Sequence, residues 1–327
     1  MDATIGLAHA PEGGGNATRM LGVAAVLASR DVDVALAGGG PGAKFARLNG
    51  FEEAEPETVD FIERRRGSGS LLGALPRTAG AAVERARDFG SWLDRTRPDV
   101  LLTDDPFAML PAVVRGIPFY RLDHSSVDCY DAPFERTVYR VFNRLSIELG
   151  EGFLLTSVHD DPHPDTDGVH PVPPIAHEPS TPESVDPFDT LVIPGTYSTG
   201  FDRIAAELER GGQDVTLVGD EDWEPVRSMT PYSAAADAVV CTGFSSIAEA
   251  VVAGTPVVVY PFIDCQRGIA EAIEVADVEG ITVVHSSEEA VAAARDPPPA
   301  PSFENGAPAV ADHLLSFLAD EADRTRQ

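Results

Sequence analysis

Short apolar runs alternate with helical patterns along most of this chain. ATIGLA (3–8), VDVALAG (32–38) and VLLT (100–103) are typical of buried strands, whereas the segment 17–30 is typical of a helix. Strands and helices in alternation predict parallel sheets with helices packed on both faces. The fold class expected from the sequence is therefore α/β.

One segment interrupts the alternation and divides the chain. Residues 159–187 are rich in Pro, Asp and Ser and cannot sustain a helix, so we interpret them as an interdomain connection. We expect two doubly wound, Rossmann-like domains, at 1–158 and 188–300, with a cleft between them. The final segment, 301–327, contains an amphipathic helix that could pack on either domain. Ligands of such sheets bind beyond the carboxyl ends of the strands.

The charge balance is strongly acidic. There are 53 Asp and Glu against 24 Lys and Arg, which gives a net charge of -29, and Lys44 is the only lysine. Because salt screens such self-repulsion, the composition favours a salt-adapted, halophilic protein. It argues against a nucleic-acid partner, since nucleic-acid binding requires a basic surface.

The cysteines and the apolar runs indicate the cellular compartment of the protein. Cys129, Cys241 and Cys265 are scattered and show no metal-ligand spacing, which favours a reducing compartment. The amino terminus lacks the pattern of a signal peptide, and no apolar run approaches the roughly 18 residues of a membrane span. We expect a cytoplasmic protein.

The segment GFSSIAEAVVAGTPVVVYPFIDCQ (243–266) carries the strongest functional signal. It predicts a turn, a helix, a second turn and a buried strand. Ser246 and Glu249 form an S-x-x-E pattern, which is typical of a capping box. The helix also follows a buried strand, so its amino terminus lies where a phosphate would be favoured, and a carboxylate nearby can accept hydrogen bonds from a ribose diol. Both interpretations remain open at this point.

This segment, extended to Thr242, resembles the donor-binding signature of GT-B glycosyltransferases. The closest likeness is to the carboxyl-terminal domain of family 28, the peptidoglycan N-acetylglucosaminyltransferase (MurG) type, and its archaeal relatives. Four residues match in order and spacing: Glu249, Gly254, Pro256 and Gln266. The resemblance implies that Glu249 holds the nucleotide ribose. The Asn-Ala that usually follows the Gln is replaced here by Ile269 and Ala270, which leaves the contacts to the donor sugar open.

Two further stretches resemble loops of the same enzymes. PGTYSTGF (194–201) is similar to the phosphate-cradling loop, although Ser198 or Thr199 could equally cap an ordinary strand–helix turn. PEGGGNATRM (11–20) is similar to the G-x-G-G-H-x-x-R loop that faces acceptor and donor, with Asn16 in place of the His. The resemblance implies a donor site formed by Gly195, Thr196, Ser198, Thr199, Gly200, Gly243, Phe244, Ser245, Ser246, Glu249 and Gln266. It implies a cleft loop formed by Gly13, Gly14, Gly15, Asn16 and Arg19.

An inverting transfer also needs a base, and Asn16 cannot supply it. Asp104 and Asp105 end the VLLT strand, where a carboxylate base would work, although a turn before Pro106 explains them equally well. His124 follows the next predicted strand and is a second candidate, with a loop histidine bound to backbone as the alternative. His9, at the end of the first strand, is a third. No D-x-D motif stands in a convincing place for a metal, and the resemblance to GT-B enzymes implies metal-independent transfer.

One arginine-rich segment is a candidate surface for an acceptor. RRRGSGSLLGALPR places Arg64, Arg65, Arg66 and Arg77 in an otherwise acidic chain. We hypothesise that it meets an anionic membrane surface or a lipid-linked phosphate, so that the protein is peripheral at the inner membrane face. The alternative is a solvated loop that balances neighbouring acids.

The leading function predicted from the sequence is an inverting glycosyltransferase. The expected donor is a nucleotide sugar, most simply UDP-linked, used as a substrate with no bound cofactor; the acceptor, such as a lipid-linked or cell-surface glycan, is not identified. The first alternative is an enzyme like the UDP-N-acetylglucosamine 2-epimerases, which share the fold. The second is a non-catalytic subunit that binds a sugar nucleotide, and Asn16 is the residue that favours it.

Overall fold

The computed structural model describes residues 3–59, 71–124, 133–159, 167–179, 181, 183–196, 198–221 and 223–326. Within them the chain forms two sheets, one of seven strands and one of five, and each recorded strand pairing is parallel. The α/β prediction, with two doubly wound units, is confirmed. The predicted Arg64, Arg65 and Arg66 patch lies outside the described residues, as does the side chain of Arg77, so that patch stays a prediction.

The first sheet has the strand order β3-β2-β1-β4-β5-β6-β7. Its strands are β1 (Thr4–Ala8), β2 (Asp33–Ala37), β3 (Glu53–Ala54), β4 (Val100–Thr103), β5 (Phe119–Asp123), β6 (Gly152–Thr156) and β7 (Val169–Val172). Its helices are α1 (Gly15–Ser29), α2 (Ala43–Leu48), α3 (Leu71–Thr96), α4 (Pro106–Arg115) and α5 (Pro133–Leu149). The order reverses between β1 and β4, so this switch point is flanked by the loops that follow those two strands.

The second sheet has the strand order β12-β11-β10-β8-β9. Its strands are β8 (Phe188–Ile193), β9 (Val215–Leu217), β10 (Ala236–Cys241), β11 (Val257–Val259) and β12 (Ile281–Val283). The remaining helices are α6 (Phe201–Arg210), α7 (Thr230–Ala235), α8 (Phe244–Val252), α9 (Asp264–Ala276), α10 (Ser287–Arg295) and α11 (Ala307–Thr325). Here the switch point lies between β8 and β10, beside the two loops predicted to bind the donor.

Two elements, β7 and α11, extend the first domain. Strand β7 lies inside the predicted connection 159–187 and extends the first sheet at its edge, paired with β6. Helix α11 returns to the first domain, where Val310 and Leu314 are fully buried in the same core cluster as Met20 and Leu21 of α1. The first domain therefore comprises most of the amino-terminal half together with the last helix.

The chain passes between the domains twice, and the two connecting segments lie side by side. The Asn305 side chain accepts a hydrogen bond from the Ala176 N–H at 3.2 Å and donates one to the Ala176 carbonyl at 3.0 Å. On the other side of this point, the His177 carbonyl accepts hydrogen bonds from Ser228 and Thr230 of the second domain. This joint, which was not predicted, holds the two sheets with their loops facing one another. No helix among the described residues has both the length and the apolar composition to cross a bilayer.

Candidate active site at the domain junction

The loops at the two switch points meet. A Cβ built on Gly15, the first residue of α1, would lie 2.4 Å from the Ser245 Oγ at the start of α8, and one built on Gly13 would lie 3.5 Å from the Thr196 Oγ1. The predicted cleft loop, residues 13–19, thus contacts both predicted donor loops. Only glycine at position 15 permits so close an approach of these two segments.

Two helix amino termini converge at this contact. Helix α8 begins after Gly243 and helix α1 after Gly14, and neither is capped by a side chain. The helical hydrogen bonds begin with the Ile247 N–H, which donates to the Gly243 carbonyl, and the Thr18 N–H, which donates to the Gly14 carbonyl. The N–H groups before these have no acceptor within their own helix, and they form the positive ends of two helix dipoles. Like ends repel, so an anion placed between them would stabilise the junction.

Glu249 is buried at the same junction. Its side chain is in the second turn of α8, not the first, and no side-chain cap is formed with Ser246, so the capping-box interpretation is wrong. Glu249 is 4% exposed and lies beside Thr18 of α1, and its Oε1 has no partner among the described residues. Burial raises the pKa of this carboxyl to about 7.

Gln266 links the two donor loops. Its Oε1 accepts hydrogen bonds from the Phe262 and Ile263 N–H groups, at 2.9 and 3.1 Å, and from the Thr242 hydroxyl at 2.8 Å. The first two bonds fix the start of α9, and the third ties α9 to the residue after β10. A Cβ built on Gly195 would lie 3.7 Å from the Gln266 Nε2, so the Gln266 amide group faces the loop at Gly195.

The loop at Gly195 is not an ordinary capped turn. Ser198 turns back on Gly195, since both its N–H and its hydroxyl donate to the Gly195 carbonyl, at 3.0 and 2.8 Å. Gly200 follows in the left-handed conformation, with φ +84°, and α6 begins without a side-chain cap. Neither Ser198 nor Thr199 performs the capping role that the sequence left open.

A buried network connects the cleft loop to the ends of β4 and β5. Arg19 is 3% exposed, and its Nη1 donates to the Nδ1 of His124 at 2.8 Å. Its Nη2 donates to the Asp104 carboxylate and, at 3.3 Å, to the Asn16 Oδ1. The second Asp104 oxygen accepts from the Ala10 N–H at 2.6 Å. Asp104, His124 and Asn16, predicted separately, are thus joined through a single guanidinium group.

Asp105 points elsewhere and holds the fold. Its Oδ1 accepts from the Phe107 N–H at 2.8 Å and caps α4, and its Oδ2 accepts from the Arg85 Nε at 2.7 Å. Arg85 is fully buried, and Asp105 is 1% exposed. With both oxygens engaged in the interior, Asp105 is a structural residue and is unsuited to act as a base.

His9 is likewise part of the interior. Its Nε2 contacts the Glu53 Oε1, its Nδ1 donates to the Ala10 carbonyl at 3.0 Å, and the side chain is fully buried. The pairing with Glu53 outweighs burial and raises the pKa of His9, so the ring is stabilised with both nitrogens protonated. A ring whose two N–H groups both donate has no free acceptor, and His9 is thereby unsuited to act as a base.

Sequence reasoning missed two residues of the junction. Thr18 lies beside the Glu249 carboxyl across the domain boundary, and the Thr242 hydroxyl donates the hydrogen bond that ties Gln266 to the other loop. Thr18 lies one turn after Gly15 on the same face of α1, and this spacing is the one signal that could have identified it. Among the described residues, no group of three or more His, Cys, Asp or Glu is arranged to hold a metal ion.

The contact at Gly15 can be tested directly. We expect Gly15→Ala to lower the free energy of unfolding by about 1 to 3 kcal/mol, because the added methyl group overlaps Ser245. Combining it with Ser245→Gly removes the obstructing atoms and should restore most of the loss. Denaturant unfolding in high salt measures both. Gly80→Ala, where the added Cβ meets nothing within 4 Å, is the control, and equal effects at positions 15 and 80 would contradict the domain contact.

The comparisons with known proteins agree on the fold. No protein-family model matches the chain, and no curated protein matches it in sequence. Solved glycosyltransferase structures match over almost its whole length. The kitacinnamycin glycosyltransferase is 17% identical, with a TM-score of 0.61 and coverage of 97% of this chain and 94% of that one.

Two further structures show the same extent of similarity. SsfS6 from Streptomyces sp. SF2575, complexed with thymidine diphosphate, is 15% identical, with a TM-score of 0.64 and coverage of 96% of this chain and 99% of that one. SnogD from Streptomyces nogalater is 14% identical, with a TM-score of 0.59 and coverage of 97% and 100%. The chain therefore has the GT-B glycosyltransferase fold. The similarity is to this class and not to family 28 in particular.

Proposed function

We propose that this protein is a glycosyltransferase that moves a sugar from a nucleoside diphosphate sugar to an acceptor. The observation that carries the proposal is the junction itself, where the buried Glu249 carboxyl, with one unpartnered oxygen, lies beside two convergent helix amino termini. The N–H groups suit a diphosphate, and the carboxylate suits a ribose diol. Gln266 and the loop at Gly195 complete the donor site.

In this proposal the protein's own groups stabilise the leaving diphosphate. The uncapped N–H groups of α8 are fixed in place before the reaction, so they can accept developing negative charge without reorganisation. The transfer is inverting and needs no metal. Asp104 is the candidate base, since Arg19 holds it beside Asn16 of the cleft loop, whereas Asp105 is bonded to Arg85 and His9 to Glu53. Burial raises the pKa of Asp104 despite the adjacent Arg19.

The nucleoside and the acceptor are the open parts of the proposal. The resemblance of the segment 242–266 to the family 28 donor signature favours a uridine diphosphate donor, whereas SsfS6 and the spinosyn rhamnosyltransferase SpnG were solved with thymidine diphosphate. SpnG was also solved with spinosyn aglycone. We propose an acceptor bound by loops of the first domain, with lipid-linked and cell-surface glycans as the first classes to screen.

The hydrogen bonding of the candidate bases supports a second candidate function. Asn16 replaces the expected His, the acceptor atoms of Asp104, Asp105 and His124 are engaged by hydrogen bonds, and both ring nitrogens of His9 are engaged as donors. A subunit that binds a sugar nucleotide without turnover, and that depends on a partner for catalysis, would have the same donor site. This alternative predicts binding with no slow hydrolysis of the donor.

Calorimetric titration in high salt tests the proposal. We expect one of uridine, thymidine or guanosine diphosphate to bind at micromolar concentration and the nucleoside alone to bind more weakly, because the helix termini act on phosphate. The matching labelled sugar nucleotide is then incubated without acceptor. Slow hydrolysis supports the transferase, conversion to an epimer supports the epimerase alternative, and an unchanged donor supports the binding subunit. Failure of all three nucleotides to bind contradicts the proposed function.

A further inference from the structure

His124 lies between the two domains. It follows β5 in the first domain, and its ring is stacked on the ring of Phe244, the first residue of α8 in the second domain, with centroids 4.8 Å apart and planes inclined by 19°. This contact holds the imidazole beside the uncapped amino terminus of α8. About 23% of the side chain is exposed, so part of the ring is accessible at the junction.

Arg19 determines which ring nitrogen of His124 carries the proton. A guanidinium group is always protonated and can only donate, so the His124 Nδ1, 2.8 Å from the Arg19 Nη1, must be the acceptor. The proton of the neutral ring is therefore on Nε2. Arg19 is itself held by Asp104 and Asn16, which prevents it from turning away.

The same neighbours keep the ring neutral. Burial and the positive charge of Arg19 lower the pKa of His124 to about 4, although Asp123 acts in the opposite direction. Asp123 is committed to other bonds, because its carboxylate accepts from the His124 backbone N–H and from the Arg121 guanidinium group. With Nδ1 occupied and Nε2 protonated, this ring can donate a hydrogen bond but cannot accept a proton.

We propose that His124 donates its Nε2–H to a phosphate oxygen of the bound donor, so that the first domain contributes directly to diphosphate binding. This inference rests on the proposed function, since it names a contact within the same site. In this contact the free N–H groups at the start of α8 bind the same phosphate group, and the imidazole adds a side-chain donor beside them. His124 is thus a positioning and leaving-group residue rather than the base expected from the sequence. Arg19 acts through it by fixing the tautomer.

The amide analogues of histidine separate the two ring nitrogens. The glutamine amide group lies near the position of Nε2, whereas the asparagine amide group lies near that of Nδ1. We expect His124→Asn and His124→Ala to weaken nucleoside diphosphate binding about tenfold to a hundredfold, as for loss of a hydrogen bond to a charged group, and His124→Gln to retain most of it. Binding of the nucleoside without phosphate should be the same in all four proteins.

The outcomes distinguish this contact from the function on which it rests. Wild-type protein that binds no nucleoside diphosphate contradicts both. Wild-type binding with equal affinity in His124→Ala overturns the contact and leaves the proposed function intact. A parallel loss of nucleoside and diphosphate affinity would mean that the variant has merely disturbed the domain junction, and would also overturn the contact.

A second measurement uses the free protein. Nitrogen-15 shifts of the ring report the tautomer, and we expect His124, identified by the signal lost in His124→Gln, to be neutral with the proton on Nε2 at pH 7. Substituting Arg19 by Met should release the tautomer and lower diphosphate affinity. A proton on Nδ1, or a charged ring, in the wild-type protein would overturn the inference.

Discussion

Replacing Arg85 by Ala is expected to lower the free energy of unfolding by about 3 to 5 kcal/mol, the range found when one member of a buried ion pair is removed. Arg85 is fully buried and pairs with Asp105, whose side chain is 1% exposed. Its other N–H groups donate to the carbonyls of Glu57, His9 and Gly38. The variant therefore leaves a buried carboxylate and three carbonyl groups without their donor. Denaturant unfolding in high salt measures the loss.

The exposed pair Asp94–Arg115 provides a matched control. Asp94 is 62% exposed, and its substitution by Ala should lower the free energy of unfolding far less than Arg85→Ala does, as is usual for surface ion pairs. Combining Arg85→Met with Asp105→Asn removes both buried charges and keeps a side-chain cap for the Phe107 N–H, so this double variant should recover part of the loss. If Arg85→Ala is no more destabilising than Asp94→Ala, then Arg85 does not support the first sheet as argued.

The prediction from sequence succeeded where local pattern and topology agree. Alternating strands and helices require parallel sheets, and parallel sheets place the loops after their strands at one edge. The GGG loop and the turn at Gly243 were both expected at such edges, and the structure brings them together at Gly15 and Ser245. Which of two adjacent carboxylates faces the junction was not encoded locally. Arg19 binds Asp104, whereas Arg85, which lies in α3, binds Asp105.

The positions of β7 and α11 also depend on contacts that the local sequence does not encode. VHPV (169–172) is short and contains Pro, which favours a loop. Because β7 is an edge strand, however, no hydrogen bond is required from the Pro171 nitrogen, which has no N–H to donate. The last helix has an apolar face that fits either domain by composition. Its packing against α1 follows from the joint at Asn305 and Ala176, which directs the chain back to the first domain.

The S-x-x-E pattern shows why site prediction remained ambiguous. A capping box and a ligand-binding carboxylate have the same residues at the same spacing, and only the first residue of the helix distinguishes them. Because α8 begins at Phe244, Ser246 is already inside the helix and Glu249 is a turn further on. The carboxylate is thereby directed to Thr18 of the other domain rather than to its own helix end.

Glu249→Ala is expected to weaken nucleoside diphosphate binding about 100-fold. Two ribose hydroxyls donating to one carboxylate are each worth about 1.5 kcal/mol or more, and the variant loses both. The buried carboxyl has a pKa raised to about 7, and the ribose diol requires the ionised form. Affinity should therefore fall as the pH decreases through 7, to about a tenth of its high-pH value at pH 6. Calorimetry across this range measures both effects.

Glu249→Gln is the matched control, since it keeps the size of the side chain but cannot ionise. The phosphates of the nucleotide also titrate near pH 6, and this contribution is common to both proteins. The difference between the two pH profiles therefore isolates Glu249, and it should vanish at low pH, where the wild-type carboxyl is protonated. Parallel profiles would show that the ribose does not contact this carboxylate. Glu249 would then be a buried residue of the junction alone, and the donor would have to bind through the helix termini without it.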